Sequence, residues 1–126
     1  MKIMKKITSF IIAALCVTTF TVEAIADIRK GMIAYAAKDY TTAFNEFLKD
    51  ENNGSATVQS MLGYMFVTGS GTDLNYLEAI KWYKLAAMQG DISSQMNLSS
   101  IYNDGKGIPK DPAEAFKWLL MAAKKG

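Results

Sequence analysis

The chain has 126 residues, enough for one small domain, with half of them hydrophobic, a single cysteine, no histidine and a formal net charge of +2. The lack of histidine removes the commonest general base and metal ligand. Three of the 14 basic residues and one of the 12 acidic residues fall within the first 26, so 11 of each remain beyond them, and no basic run survives there to neutralise successive phosphates, which argues against nucleic acid as a partner.

Residues 1–26 have the layout of an export signal. Met1-Lys2-Ile3-Met4-Lys5-Lys6 is a basic start, Ile7–Val22 is mostly apolar, and Ala24-Ile25-Ala26 supplies the small-x-small pattern of a cleavage site. Cleavage after Ala26 is predicted, leaving Asp27–Gly126 as an exported chain, periplasmic or secreted. The apolar stretch is short for a span and is interrupted by Thr8, Ser9, Thr18, Thr19 and Thr21, so no stable membrane insertion is expected after cleavage. Bulky Leu15 before Cys16 argues against a lipoprotein signal. Cys16 leaves with the segment, so the mature chain has no disulfide framework and depends on packing.

The first mature segment, residues 27–54, reads as a terminal helix hairpin. Ile28, Met32, Tyr35 and Ala36 recur at helical spacing within Asp27–Lys38. Asp39 is suited to cap a second helix over Tyr40–Asp50, whose Tyr40, Ala43, Phe44, Phe47 and Leu48 share a face. Glu51-Asn52-Asn53-Gly54 is a turn, with Gly54 fitted to a left-handed position.

Residues 55–90 and 91–126 are then one 36-residue pattern written twice, identical at 11 ungapped positions that include Leu62/Leu98, Gly69/Gly105, Gly71/Gly107, Ala79/Ala115, Trp82/Trp118 and Gly90/Gly126. Ser55–Thr68 makes a helix A, with Val58, Met61, Leu62, Met65 and Phe66 as its apolar stripe. Gly69-Ser70-Gly71 reverses the chain, and Asn75-x-x-Glu78 reads as a capping box opening helix B, which carries Ala79, Ile80, Trp82, Tyr83, Ala86 and Ala87. In the second copy Ile92–Asn103 is helix A, Asp104-Gly105-Lys106-Gly107 is the turn, and Asp111-Pro112 opens a helix B with Ala115, Phe116, Trp118, Leu119, Ala122 and Ala123 on its apolar surface. Residues 27–54 follow the frame weakly and lack the Leu and Gly-x-Gly marks, as suits a capping unit. One such hairpin cannot bury its own apolar face. Stacking several joins those faces into a continuous core, so the fold expected is all-α: an α-solenoid of stacked antiparallel hairpins with about six helices.

The series Leu62-Gly63…Phe66…Gly69…Gly71, Ala79…Trp82, Ala86-Ala87…Gly90 and its copy Leu98-Ser99…Tyr102…Gly105…Gly107, Ala115…Trp118, Ala122-Ala123…Gly126 resembles the Sel1-like repeat family, relatives of the tetratricopeptide repeat. Departures are Ser99 in a usual glycine position, which should loosen the helix contact, the Thr72-Asp73-Leu74 stretch, and Asn75 for the usual capping aspartate. The resemblance implies a right-handed solenoid serving as an adaptor or scaffold, often in bacterial envelope or secreted settings, and implies no reaction.

Chemistry finds little footing in these residues. No cofactor or metal is expected: Asp104 and Asp111 lack the alternating oxygen ligands of a calcium loop, and the Gly-x-Gly turns lack the preceding strand and third glycine of a dinucleotide site. Ser93, Ser94, Ser99 and Ser100 have no neighbouring base, and the paired cysteines of family members linked to β-lactam binding are missing. What remains is a surface on the A helices, opposite their core stripe. Ser60, Tyr64 and Val67 project there from the first copy and Met96, Ser100 and Asn103 from the second, where the copies differ. They form the expected concave binding face for a protein or peptide. The alternative is a structural or oligomerising module of the cell envelope, because the last hairpin offers an uncovered apolar flank for self-association. A cell-wall enzyme is the third reading, with no acid–base pair to support it.

Overall fold

The computed structural model describes residues 28–49 and 54–125; the predicted export signal 1–26 and the predicted turn Glu51-Asn52-Asn53 lie outside the described residues. These contain six helices and no strand: α1 over residues 28–36, α2 Tyr40–Lys49, α3 Ala56–Thr68, α4 Tyr76–Met88, α5 Ile92–Asp104 and α6 Pro112–Ala123. Successive helices pack on one another as α1/α2, α3/α4 and α5/α6 hairpins, and the A helices α3 and α5 also touch.

Side-chain acceptors start the helices. Asp39, Asn75, Asp91 and Asp111 accept from the backbone N–H groups of Thr42, Glu78, Ser94 and Glu114 at 3.2, 3.1, 2.7 and 3.0 Å, satisfying donors that the first turn leaves free. The expected capping boxes are half made. The backbone N–H groups of Asn75 and Asp111 donate instead to Phe66 and Tyr102 carbonyls of the preceding A helix, each at 2.9 Å. Glu78 and Glu114, released from that duty, pair with Lys81 and Lys117 one turn on. This accounts for the matching Glu and Lys in the two copies: each turn is fastened across the hairpin, and its glutamate braces helix B.

The second glycine of each turn does another job. Gly71 has φ +75° and its Cα lies against the Tyr40 carbonyl; Gly107, at φ +69°, lies against the Tyr76 side chain, where an added Cβ would come within 2.6 Å of the tyrosine Cβ. Tyr40 and Tyr76 open the B helices of the preceding hairpins. The sharp turn therefore lets each loop press onto the unit before it.

Two core clusters result, one at each junction between hairpins. Ala43 and Phe47 of α2 meet Val58, Leu62 and Met65 of α3, with Trp82 packed alongside. Ala79, Ile80, Tyr83 and Ala87 of α4 meet Leu98 and Ile101 of α5, closed by Trp118 of α6. Each cluster thus joins the B helix of one unit, the A helix of the next and that next unit's tryptophan. Glutamines add hydrogen bonds: Gln89 Nε2 donates to buried Gln59 Oε1 at 2.8 Å within the second hairpin, and buried Gln95 Nε2 to the Ala87 carbonyl at 2.9 Å across the next junction, serving a carbonyl in the last turn of α4.

Candidate functional site

The three hairpins share one plan, and their glycines set the register. Gly63 lies under the Tyr83 ring, where an added Cβ would fall 2.7 Å from the ring, and Gly31 lies under Phe47 at 2.5 Å. Phe47 and Tyr83 are 36 positions apart but Gly31 and Gly63 are 32 apart, because the 37–39 link is shorter than the turn between α3 and α4. Gly31 thus carries the mark that residues 27–54 lack at a shift of 36. In the third hairpin the pair becomes Ser99 and Leu119.

With this register the six residues predicted to bind fall into two groups. Ser60 and Val67 lie between hairpins. The Ser60 hydroxyl accepts from Ser94 Oγ of α5 at 3.0 Å, and half-buried Val67 packs on the second core cluster. Met96 and Asn103, their counterparts one repeat later, are exposed, Met96 to 56%. Tyr64 and Ser100 stand on the outward stripe of α3 and α5, and Tyr64 is 48% exposed. Burial and the nearby phenols of Tyr64 and Tyr40 raise the Tyr35 pKa, while burial, Tyr64 and Asp91 raise that of Tyr83. Tyr64 is therefore set among phenols that stay neutral at ordinary pH. Ser100 Oγ and Asn103 Nδ2 each donate to the Asp104 carboxylate at 3.3 Å, and bonds from Lys106 and Asn103 hold its pKa down.

Met96, Ser100 and Asn103 line an open cleft of about 510 Å³ whose far wall is Phe116 and Leu119 of α6. Periodicity alone puts both α6 residues in the core, yet Phe116 is 63% and Leu119 49% exposed. Their counterparts Ile80 and Tyr83 are covered by α5, at 7% and 1%. Among the described residues nothing covers α6 in that way. A second hollow of about 660 Å³, between the outer face of α4 and residues 108–111, is lined by Leu77, Lys81, Tyr102 and Ile108, with the Lys84 ammonium 5.6 Å from the Tyr102 ring centre. Glu78, Lys84, Lys110 and Asp111 also line the second hollow, where Glu78 is paired with Lys81. Among the described residues there is no group of three metal-ligating side chains, and no helix is long and apolar enough to cross a membrane.

Comparison with known proteins gives a consistent picture. The Sel1 repeat family model matches residues 56–91 and 92–126. The crystal structure of a Sel1 repeat protein from Oxalobacter formigenes superposes with a TM-score of 0.72 at 33% identity, over 79% of this chain and 39% of that one. A protective antigen of uropathogenic Escherichia coli with an SLR fold superposes at 0.75 with 29% identity, over 84% of this chain and 24% of that one. This chain spans well under half the length of either. No protein of curated function matches it.

Proposed function

This chain belongs to the Sel1 repeat family, and from that premise we propose that it is an exported scaffold that holds a protein or peptide segment against the outward stripe of its A helices, with Tyr64 as the anchor. Sel1 repeat proteins generally act as protein-interaction scaffolds and are typically non-catalytic. The observation that carries the finer reading is Tyr64: an aromatic side chain half in solvent on a helix whose other faces are packed, with no side-chain hydrogen bond among the described residues to give up on binding. Such a residue brings a large amphipathic contact at little entropic cost. Thr68, one turn on, donates its hydroxyl to the Tyr64 carbonyl and is exposed on the same stripe. Export is supported by the 1–26 pattern.

A photoreactive residue installed at position 64 should yield a discrete adduct in the native envelope fraction, whereas one at Lys81 on helix B should not. Tyr64→Ala should weaken the partner so identified at least about tenfold with an unchanged unfolding midpoint. Equal adducts from both positions, or full affinity in Tyr64→Ala, would refute the proposal.

A further inference from the structure

We infer that the hollow between the outward face of α4 and residues 108–111 is a binding site for a small amphipathic anion: a free medium-chain carboxylate, its tail laid on the apolar floor and its head held by Lys84 and Lys110.

Comparing the two junctions between hairpins shows how the hollow arises. At the first, Phe44 and Phe66 fill the seat edge to face, their ring centres 5.3 Å apart, and half-buried Leu48 packs on the same core cluster as Phe44. One repeat on, Ile80 stands for Phe44 and Tyr102 for Phe66. The ring missing from α4 leaves an open volume of about 660 Å³, within the range of small-molecule sites. Its floor is fixed: Ile80 belongs to the second core cluster, and half-buried Tyr102 and Ile108 pack against that cluster. Exposed Leu77 and Pro109 stand at the sides. The seat lies inside the stack, between two hairpins already in contact. Leu74, in the corresponding seat of the first junction, is 57% exposed although a complete hairpin follows it. Stacking therefore leaves this side of the turns open, wherever the stack ends.

Charge enters with the same repeat. Lys84 replaces Leu48 and Lys110 replaces Leu74, so two ammonium groups stand where the first junction has leucine side chains. Neither lysine forms an ion pair among the described residues. The Lys84 ammonium lies 5.6 Å from the Tyr102 ring centre, a contact that leaves its charge and its N–H donors available. The acids at the hollow already have duties: Glu78 pairs with Lys81, and the Asp111 carboxylate accepts from the Glu114 backbone N–H. Three lysines against two carboxylates leave the lining net positive. An apolar floor below two available cations selects an anion with an apolar body. A carboxylate head takes charge-assisted hydrogen bonds from the lysines, and its alkyl tail leaves water on Leu77, Ile80 and Ile108. An extended peptide is matched less well. Among the described residues there is no strand, hence no sheet edge to hydrogen-bond its backbone, whereas an alkyl tail has no polar group to satisfy.

The hollow shares no lining residue with the stripe around Tyr64, and a carboxylate ligand leaves no protein adduct at position 81, so this inference and the scaffold proposal stand or fall separately. The test is titration of the isotope-labelled chain with octanoate and decanoate, below their micelle concentrations, followed by heteronuclear NMR. Saturable shifts should cluster on Leu77, Lys84, Tyr102 and residues 108–111. Each methylene fully removed from water contributes about fourfold, so on this open floor decanoate should bind about fivefold more tightly than octanoate. Lys84→Gln combined with Lys110→Gln should weaken decanoate about tenfold or more with the helical circular dichroism unchanged, whereas Lys124→Gln should leave it unaltered. Ile80→Phe, which restores the ring of the first junction, should weaken it about as much; if that variant does not fold, the lysine pair and the chain-length series decide. Decyltrimethylammonium should leave these resonances in place. No saturable shift with either carboxylate, shifts centred elsewhere, decanoate bound no more tightly than octanoate, or full affinity in the double lysine variant would each overturn the inference. So would equal binding of the cationic amphiphile, or a response only to phosphatidylglycerol vesicles or to an acidic peptide.

Discussion

Gly63→Ala tests the packing at its tightest point. In the middle of an exposed helix this change would stabilise by about 1 kcal/mol, since alanine restricts the unfolded chain and glycine does not. At position 63 the new methyl would sit 2.7, 2.8 and 2.9 Å from Cδ1, Cε1 and Cγ of Tyr83. That ring is 1% exposed and held by Ala79, Ala87 and Leu98, so it has no route into solvent. Overpacking of this kind costs about 1–3 kcal/mol, and the absence of an escape route places it in the upper part of that range. Set against the propensity gain, the net loss is about 1–2 kcal/mol, or roughly 5–15 °C in Tm for a domain of this size. Urea unfolding followed by circular dichroism should show a lower midpoint with an unchanged slope. Ser99→Ala is the internal control. Its partner Leu119 is 49% exposed and free to shift, so stability should stay within about 0.5 kcal/mol of the parent. Transplanting the third hairpin's solution, Gly63→Ser with Tyr83→Leu, should cost less than the sum of the single changes by about 1 kcal/mol. A Gly63→Ala variant as stable as the parent would refute the claim that Tyr83 dictates glycine here.

Two more expectations can be measured directly. Burial, Tyr64 and Asp91 raise the Tyr83 pKa above its ordinary 10.0, so its contribution is fully present below pH 10 and is lost as pH climbs toward the raised value. Alkaline titration of stability should therefore fall from about pH 10 upward, more gently in Tyr83→Phe, with intact unfolding midpoints at pH 11 in the wild type as the contrary result. The export reading predicts a mature N-terminus at Asp27 by mass spectrometry and precursor accumulation in Ala26→Leu, because the cleavage site requires small residues; processing of that variant at the same bond would count against it.

The stack was legible because its building positions repeat. Leu62 and Leu98, Ala79 and Ala115, Trp82 and Trp118 occupy matching seats, and their identity at a 36-residue shift exposes the hairpin plan without any structure. The first hairpin was less visible for a geometric reason. Its link at 37–39, where Lys38 takes φ +62°, is shorter, so its two helices follow different shifts and Gly31 falls out of register. The binding positions were blurred for another. At about 100° per residue, Ser60 and Val67 lie about 40° and 60° to the same side of Tyr64, close enough to look like one face on a single helix. In a stack, the neighbouring hairpin reaches around far enough to take Ser60 and Val67, leaving Tyr64 outward. A single-helix periodicity cannot show this, because it records which side faces a core without saying how many neighbours the helix has.

The same consideration explains why the differences between the copies matter more than their identities. Ser60 against Met96, Ile80 against Phe116 and Tyr83 against Leu119 all lie on the face where a hairpin receives the next. Had the third hairpin's face been shaped only for water, its substitutions would run toward charge, as Lys30 does at the opposite end of the stack. At positions 96 and 116 they run instead toward larger apolar groups, while Leu119 is smaller than Tyr83 and the charge on α6 sits on Glu114 and Lys117 to one side of the stripe.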